Sequence, residues 1–184
     1  MEMVSVYVPG GVAYHTRPGQ ARLIKAGSDL IFQMHYTTNG KSAVDRSKVG
    51  FIFAKQPPKE RVVNTFVWNP NMHIPPGEAN YREVAKVKLY EDAKLQSLFP
   101  HMHLRGKAFE YRAIYPTGES QVLLSVPRYD FNWQLTYDLA QPLLLPKGTE
   151  LEVTAWYDNS PNNPANPDPK ADRSSSCWMK VRRP

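Results

Sequence analysis

A single cysteine, Cys177, stands among 184 residues, so no intrachain disulfide can form. No apolar run is long enough to span a bilayer, which removes a helical membrane anchor from consideration. Long runs of helix-forming residues are missing as well. Proline is plentiful at 17 and glycine moderate at 10, a balance that favours short strands and turns over helices. No block of one charge sign forms a stripe. Lys and Arg interleave with Asp and Glu, and only Lys180, Arg182 and Arg183 cluster. The net charge of +6 therefore reads as a mildly basic, solvated surface, and no nucleic-acid partner is expected. Met1-Glu2-Met3-Val4 lacks the basic and apolar regions of a secretory leader. The chain reads as cytosolic, or as a piece of a longer exported protein whose first segment begins within a strand.

What is present is a β pattern. A hydrophobic fraction of 41% supports an ordinary packed core. Strands are expected at Ser5–Val8, Ala21–Lys25, Asp29–Tyr36 and Val49–Ala54, with Asn39-Gly40 as a hairpin turn. In the third of these, Leu30, Phe32, Met34 and Tyr36 share one face, and Ile31, Gln33 and His35 the other. Gln56-Pro57-Pro58-Lys59 breaks the pattern and reads as a linker. Beyond it, strands are expected at 61–68, 83–89, 94–104, 109–115, 121–126, 133–139 and 150–157, with Pro116-Thr117-Gly118 and Pro146-Lys147-Gly148 as turns. The spacing predicts an all-β, antiparallel jelly-roll β-sandwich. Two units are expected: 1–57, the end of one domain, and 58–184, a nearly complete second domain with an atypical tail from about residue 171.

The chemistry concentrates in Pro100-His101-Met102-His103-Leu104-Arg105-Gly106-Lys107. Residues two apart on a strand point to the same face, with Cβ atoms roughly 6–7 Å apart. Both imidazoles can then reach one ion at about 2 Å each. Met102 points to the opposite face. Imidazole suits zinc, copper, iron and nickel alike. A cupin would need a Glu four or five residues on, where Lys107 and Ala108 stand, and a later histidine after the Pro146-Lys147-Gly148 turn, where none follows. A zinc hydrolase would need a third ligand and a base, and no carboxylate is anchored by spacing.

A further set of segments, in order, resembles the copper type II, ascorbate-dependent monooxygenases, the family of peptidylglycine α-hydroxylating and dopamine β-monooxygenases and their bacterial relatives. The segments are Gln33-Met34-His35-Tyr36, Ile74-Pro75-Pro76-Gly77-Glu78, His101-Met102-His103 with Gly106-Lys107, Tyr129-Asp130-Phe131-Asn132-Trp133, and Asp158-Asn159-Ser160 through Asn166-Pro167-Asp168-Pro169. The resemblance spans about Tyr7 to Asp168. It implies two jelly-roll domains, each with one copper. Dioxygen and a reductant such as ascorbate would hydroxylate a small organic substrate outside the cytoplasm. It gives His101 and His103 the two histidine positions of the oxygen-activating copper, and His35 the last histidine of the electron-relay copper. The remaining relay histidines would lie in a missing N-terminal part. The family's methionine ligand falls nearest Met179, but Ala171 to Lys180 does not match the family's Gly-x-Gln-Thr/Ser-x-x-Glu-Met pattern. Trp178-Met179-Lys180 must be encoded TGG-ATG-AA(A/G), which contains GAT-GAA, Asp-Glu, one frame over. A reading-frame slip after Lys170 is the expected origin of this tail. The same scaffold without its chemistry, a non-catalytic β-sandwich binding module, is the alternative.

Overall fold

The computed structural model describes residues 3–8, 11, 13–36, 39–171 and, for the backbone alone, 178–183. Its regular elements are all strands: β1 (Gln20–Ala21), β2 (Glu60–Arg61), β3 (Val63–Thr65), β4 (Tyr81–Lys88), β5 (Ala93–His101), β6 (Gly106–Ile114), β7 (Ser120–Val126), β8 (Tyr137–Leu145), β9 (Glu150–Tyr157) and β10 (Trp178–Arg183). Two four-stranded antiparallel sheets form, ordered β3-β10-β5-β8 and β4-β9-β6-β7. A two-residue parallel pair, β1-β2, stands apart.

Alternation explains why the sheets face each other. Phe109, Tyr111 and Ala113 on β6 and Leu151, Val153, Ala155 and Tyr157 on β9 all turn to one side. They meet Leu95 and Leu98 of β5 and Leu145 of β8 in a single core, closed by Val67, Met72 and Ile74 from the loop before β4. Each fully buried leucine contributes about 2 kcal/mol by leaving water. The fold is thus all-β and sandwich-like. The β6–β7 hairpin turns at Gly118, whose φ of 89° belongs to the left-handed region that glycine enters without strain.

Two expectations need correction. First, among the described residues no strand forms between Arg22 and Lys59, and Ser5–Val8 is not a strand. The alternation in Asp29–Tyr36 is real, but no ladder partner is at hand. Its apolar side chains stay in solvent: Ile31 is 78% exposed, and Ile52 and Phe53 further on are 90% and 79% exposed. The Asn39-Gly40 turn does form, with Gly40 at φ 75° and the Lys41 amide donating to Asn39 Oδ1 at 3.0 Å. Second, the strand expected at 133–139 runs instead from Tyr137 to Leu145, straight through Pro142. Proline has no N–H for a ladder, yet β8 is an edge strand and its register slips between Leu95 and Ser97 of β5, the two situations that tolerate proline. The tail takes part in the fold. Residues 172–177 lie outside the described residues, but β10 inserts between β3 and β5, with Val181 opposite both Thr65 and Leu98.

In the first segment, Met3 and residues 17–22 are tied to the sheets: the Met3 carbonyl accepts from Asn64 Nδ2 of β3 at 2.9 Å. Arg17 donates to the Leu139 carbonyl at 2.8 Å, Gln20 Nε2 to Glu60 Oε2 at 2.6 Å, and Arg22 to Asn64 Oδ1 at 3.0 Å.

Candidate metal centre

The chain leaves one sheet at the end of β5 and enters the other at the start of β6, and His101-Met102-His103 occupies that crossover. Met102 is fully buried in the shared core. Its neighbours His101 and His103 therefore fall on the opposite face of the β5 layer, with Phe99. Phe99 and His101 stack at 6.1 Å, nearly parallel at 10°. The His101 and His103 rings lie 5.2 Å apart between centroids, almost perpendicular at 85°. Two imidazoles sharing a tetrahedral ion through nitrogens at about 2.0–2.1 Å would place their centroids about 5 Å apart. The pair therefore has the spacing that one ion requires.

Both rings are held neutral. Burial pushes His101 down to about 4, and the neighbouring charges of His103 and His35 push the same way, against a hydrogen bond to Gln134 that favours the proton. Burial also lowers His103, again with help from His35. Neutral imidazole is the form that binds metal. His35 thus approaches close enough for its charge to act on both rings, although its own segment is exposed and unpaired in any ladder.

The loop after β7 holds this crossover from above. The Tyr129 hydroxyl accepts from the Met102 amide at 2.9 Å and donates to the Met102 carbonyl at 2.8 Å, clasping the residue between the two histidines on both sides. The Tyr129 amide donates in turn to the Lys107 carbonyl at 2.9 Å. Gly106 makes this approach possible. A Cβ there would lie 2.7 Å from Met102 Cβ and 2.8 Å from Tyr129 Cδ1. Five residues further, Gln134 Oε1 meets His101 Nδ1 at 2.5 Å while Gln134 Nε2 donates to the Phe131 carbonyl at 2.8 Å.

A second anchor lies beneath the turn. Asn159 is fully buried. Its Nδ2 donates to the carbonyls of Pro75 at 2.9 Å and Ala171 at 3.0 Å. Its Oδ1 accepts from Arg105 Nε at 2.6 Å and Asn166 Nδ2 at 3.0 Å. One amide side chain thereby uses its full hydrogen-bonding capacity. It joins the Ile74–Glu78 segment, the His-Met-His turn and the Asn/Pro loop, three stretches far apart in sequence. Lys107 adds a tie, donating to Ala79 O at 3.1 Å and Asn80 Oδ1 at 2.9 Å.

The structure therefore brings His101 and His103 together, sets His35 within electrostatic reach, and gathers the other singled-out segments around them. Among the described residues, no three His, Cys, Asp or Glu side chains converge as a metal-binding group. The Met179 backbone pairs with that of Pro100, one residue from His101; its side chain lies outside the described residues. Gln134 escaped the sequence reading because nothing local marks it: its role depends on a loop folding back across 33 residues. No family model matches the chain, and no curated protein matches it.

Proposed function

We propose that this chain is a copper-binding, monooxygenase-like module, and that His101 and His103 are its copper ligands. The observation that carries the reading is the pair itself: two neutral rings on one face, 5.2 Å apart and perpendicular. Two imidazoles fit either oxidation state of copper, and a low coordination number suits Cu(I). When bound, copper would supply one-electron redox chemistry toward dioxygen. The protein's part is then positional. Burial keeps both rings unprotonated, Tyr129 fixes the backbone between them, and Asn159 fixes the turn that follows. His35, exposed and within charge range, supplies a further imidazole, in the relay role that the family resemblance gives it. In this reading the sandwich is a jelly roll, residues 1–57 end one copper domain and 58–184 make the other. The parent protein hydroxylates a small organic substrate outside the cytoplasm, with ascorbate or a similar reductant.

Copper titration with metal analysis tests this. One equivalent is expected in the native chain, with uptake falling strongly in His103→Ala. Ascorbate-dependent oxygen consumption by the copper-loaded protein, above the rate of free copper, is expected if the module is catalytic. Unchanged copper stoichiometry in His103→Ala would overturn the ligand assignment.

A second reading has its own support. With no third donor converging among the described residues, the same scaffold serves as a non-catalytic β-sandwich binding module. It predicts copper-loaded protein no faster than free copper in consuming oxygen.

A further inference from the structure

His101 can present a metal-binding lone pair from only one of its two nitrogens at a time, so something must choose which. We propose that Gln134 makes that choice: it is the positioning residue that holds His101 as the Nδ1–H tautomer, with the Nε2 lone pair left for the ion shared with His103. The inference rests on the copper reading for the ion, but its tautomer half stands on geometry alone.

The chain of hydrogen bonds has one consistent direction. The Phe131 carbonyl can only accept, so the Gln134 atom 2.8 Å from it is the donating Nε2. The other amide atom is then Oε1, which also can only accept. It lies 2.5 Å from His101 Nδ1, so that nitrogen must carry the proton. A neutral ring with a proton on Nδ1 has its lone pair on Nε2. Gln134 is 5% exposed, and turning its amide over would break both bonds and aim an N–H at another N–H.

The frame behind Gln134 is built to keep it still. Phe131 belongs to a tight loop in which the Asn132 amide donates to Asp130 Oδ1 at 2.8 Å and the Trp133 amide to Asp130 O at 3.0 Å. Two residues earlier the same loop clasps Met102 through Tyr129. One loop therefore sets both the backbone of the pair and the ring of its first member. Partners of this kind commonly change metal affinity 10- to 100-fold when removed.

The test uses the full chain, nitrogen-15 labelled. Long-range proton–nitrogen NMR of the metal-free protein is expected to show His101 protonated at Nδ1 and bare at Nε2 near neutral pH. In Gln134→Leu the ring should become a mixture of tautomers, and Cu(I) affinity, read by competition with a chromogenic chelator, should fall 10- to 100-fold. Gln134→Glu keeps an acceptor at the same reach and should restore both the tautomer and affinity within a few-fold of native. A native spectrum with the proton on Nε2 overturns the proposal outright, whether or not the leucine variant folds. So does a folded Gln134→Leu with native tautomer and affinity, or a glutamate variant that behaves like leucine. Native protein that binds no Cu(I) yet shows the Nδ1–H ring, lost in Gln134→Leu, supports the positioning role and removes the copper reading instead.

Discussion

At the scale of single residues, the crossover is over-determined. Tyr129→Phe would leave the buried Met102 amide and carbonyl without their shared hydroxyl partner. A cost of about 1–3 kcal/mol in unfolding free energy is expected from denaturant titration. Gly106→Ala should cost a similar amount, roughly 1–3 kcal/mol, because the added methyl meets Met102 and Tyr129 with no slack. An unchanged midpoint in that variant would mean the loop is not seated against Met102. Proton linkage at His101 has a definite sign. Unfolded, the ring takes its proton near the ordinary histidine value; folded, burial delays uptake to about 4. Between these values the unfolded chain binds more protons, so metal-free protein should lose stability as pH falls from about 6.5 to 4, by up to about 3 kcal/mol from this ring. His103 pushes in the same direction. His101→Asn should flatten that part of the stability–pH curve.

At the scale of elements, local pattern told most where the strand had partners on both sides. Glu150–Tyr157 matches its alternation end to end, because β9 lies between β4 and β6 and its register is enforced by both. The Pro116-Thr117-Gly118 hairpin was legible from its turn chemistry. The His-Met-His pair was legible because a two-residue period survives any choice of partner. Asp29–Tyr36 was not, since alternation says which face would be buried and nothing about whether a neighbour exists to bury it. The extension of β8 through Pro142 was not legible for a related reason: whether a strand can contain proline depends on its place in the sheet. Gln134 and Asn159 act across long loops, and no local signal announces such contacts. Limited proteolysis should therefore cut first between Arg22 and Lys59, where no described residue joins a ladder, leaving a resistant fragment carrying β4 to β9. Initial cleavage inside residues 81–157 would contradict the described pairing.

At the scale of the whole molecule, β10 completes a sheet that would otherwise divide into β3 and β5-β8. A chain ended at Ala171 should melt well below the native protein, on the order of 10 °C lower, given about 2–4 °C per kcal/mol at this size. Equal melting temperatures would show that the strand contributes nothing to the fold. Such a comparison also separates scaffold from chemistry, because His101, His103, Gln134 and Tyr129 all precede the cut.

The placement of Pro142 has a consequence for self-association. An open sheet edge invites another chain to add a strand, and a proline with a slipped register on β8 blunts that invitation. The opposite margin of the same sheet, β3, offers only three residues. In this sheet, at least, both margins are therefore poor templates for pairing with a neighbouring copy.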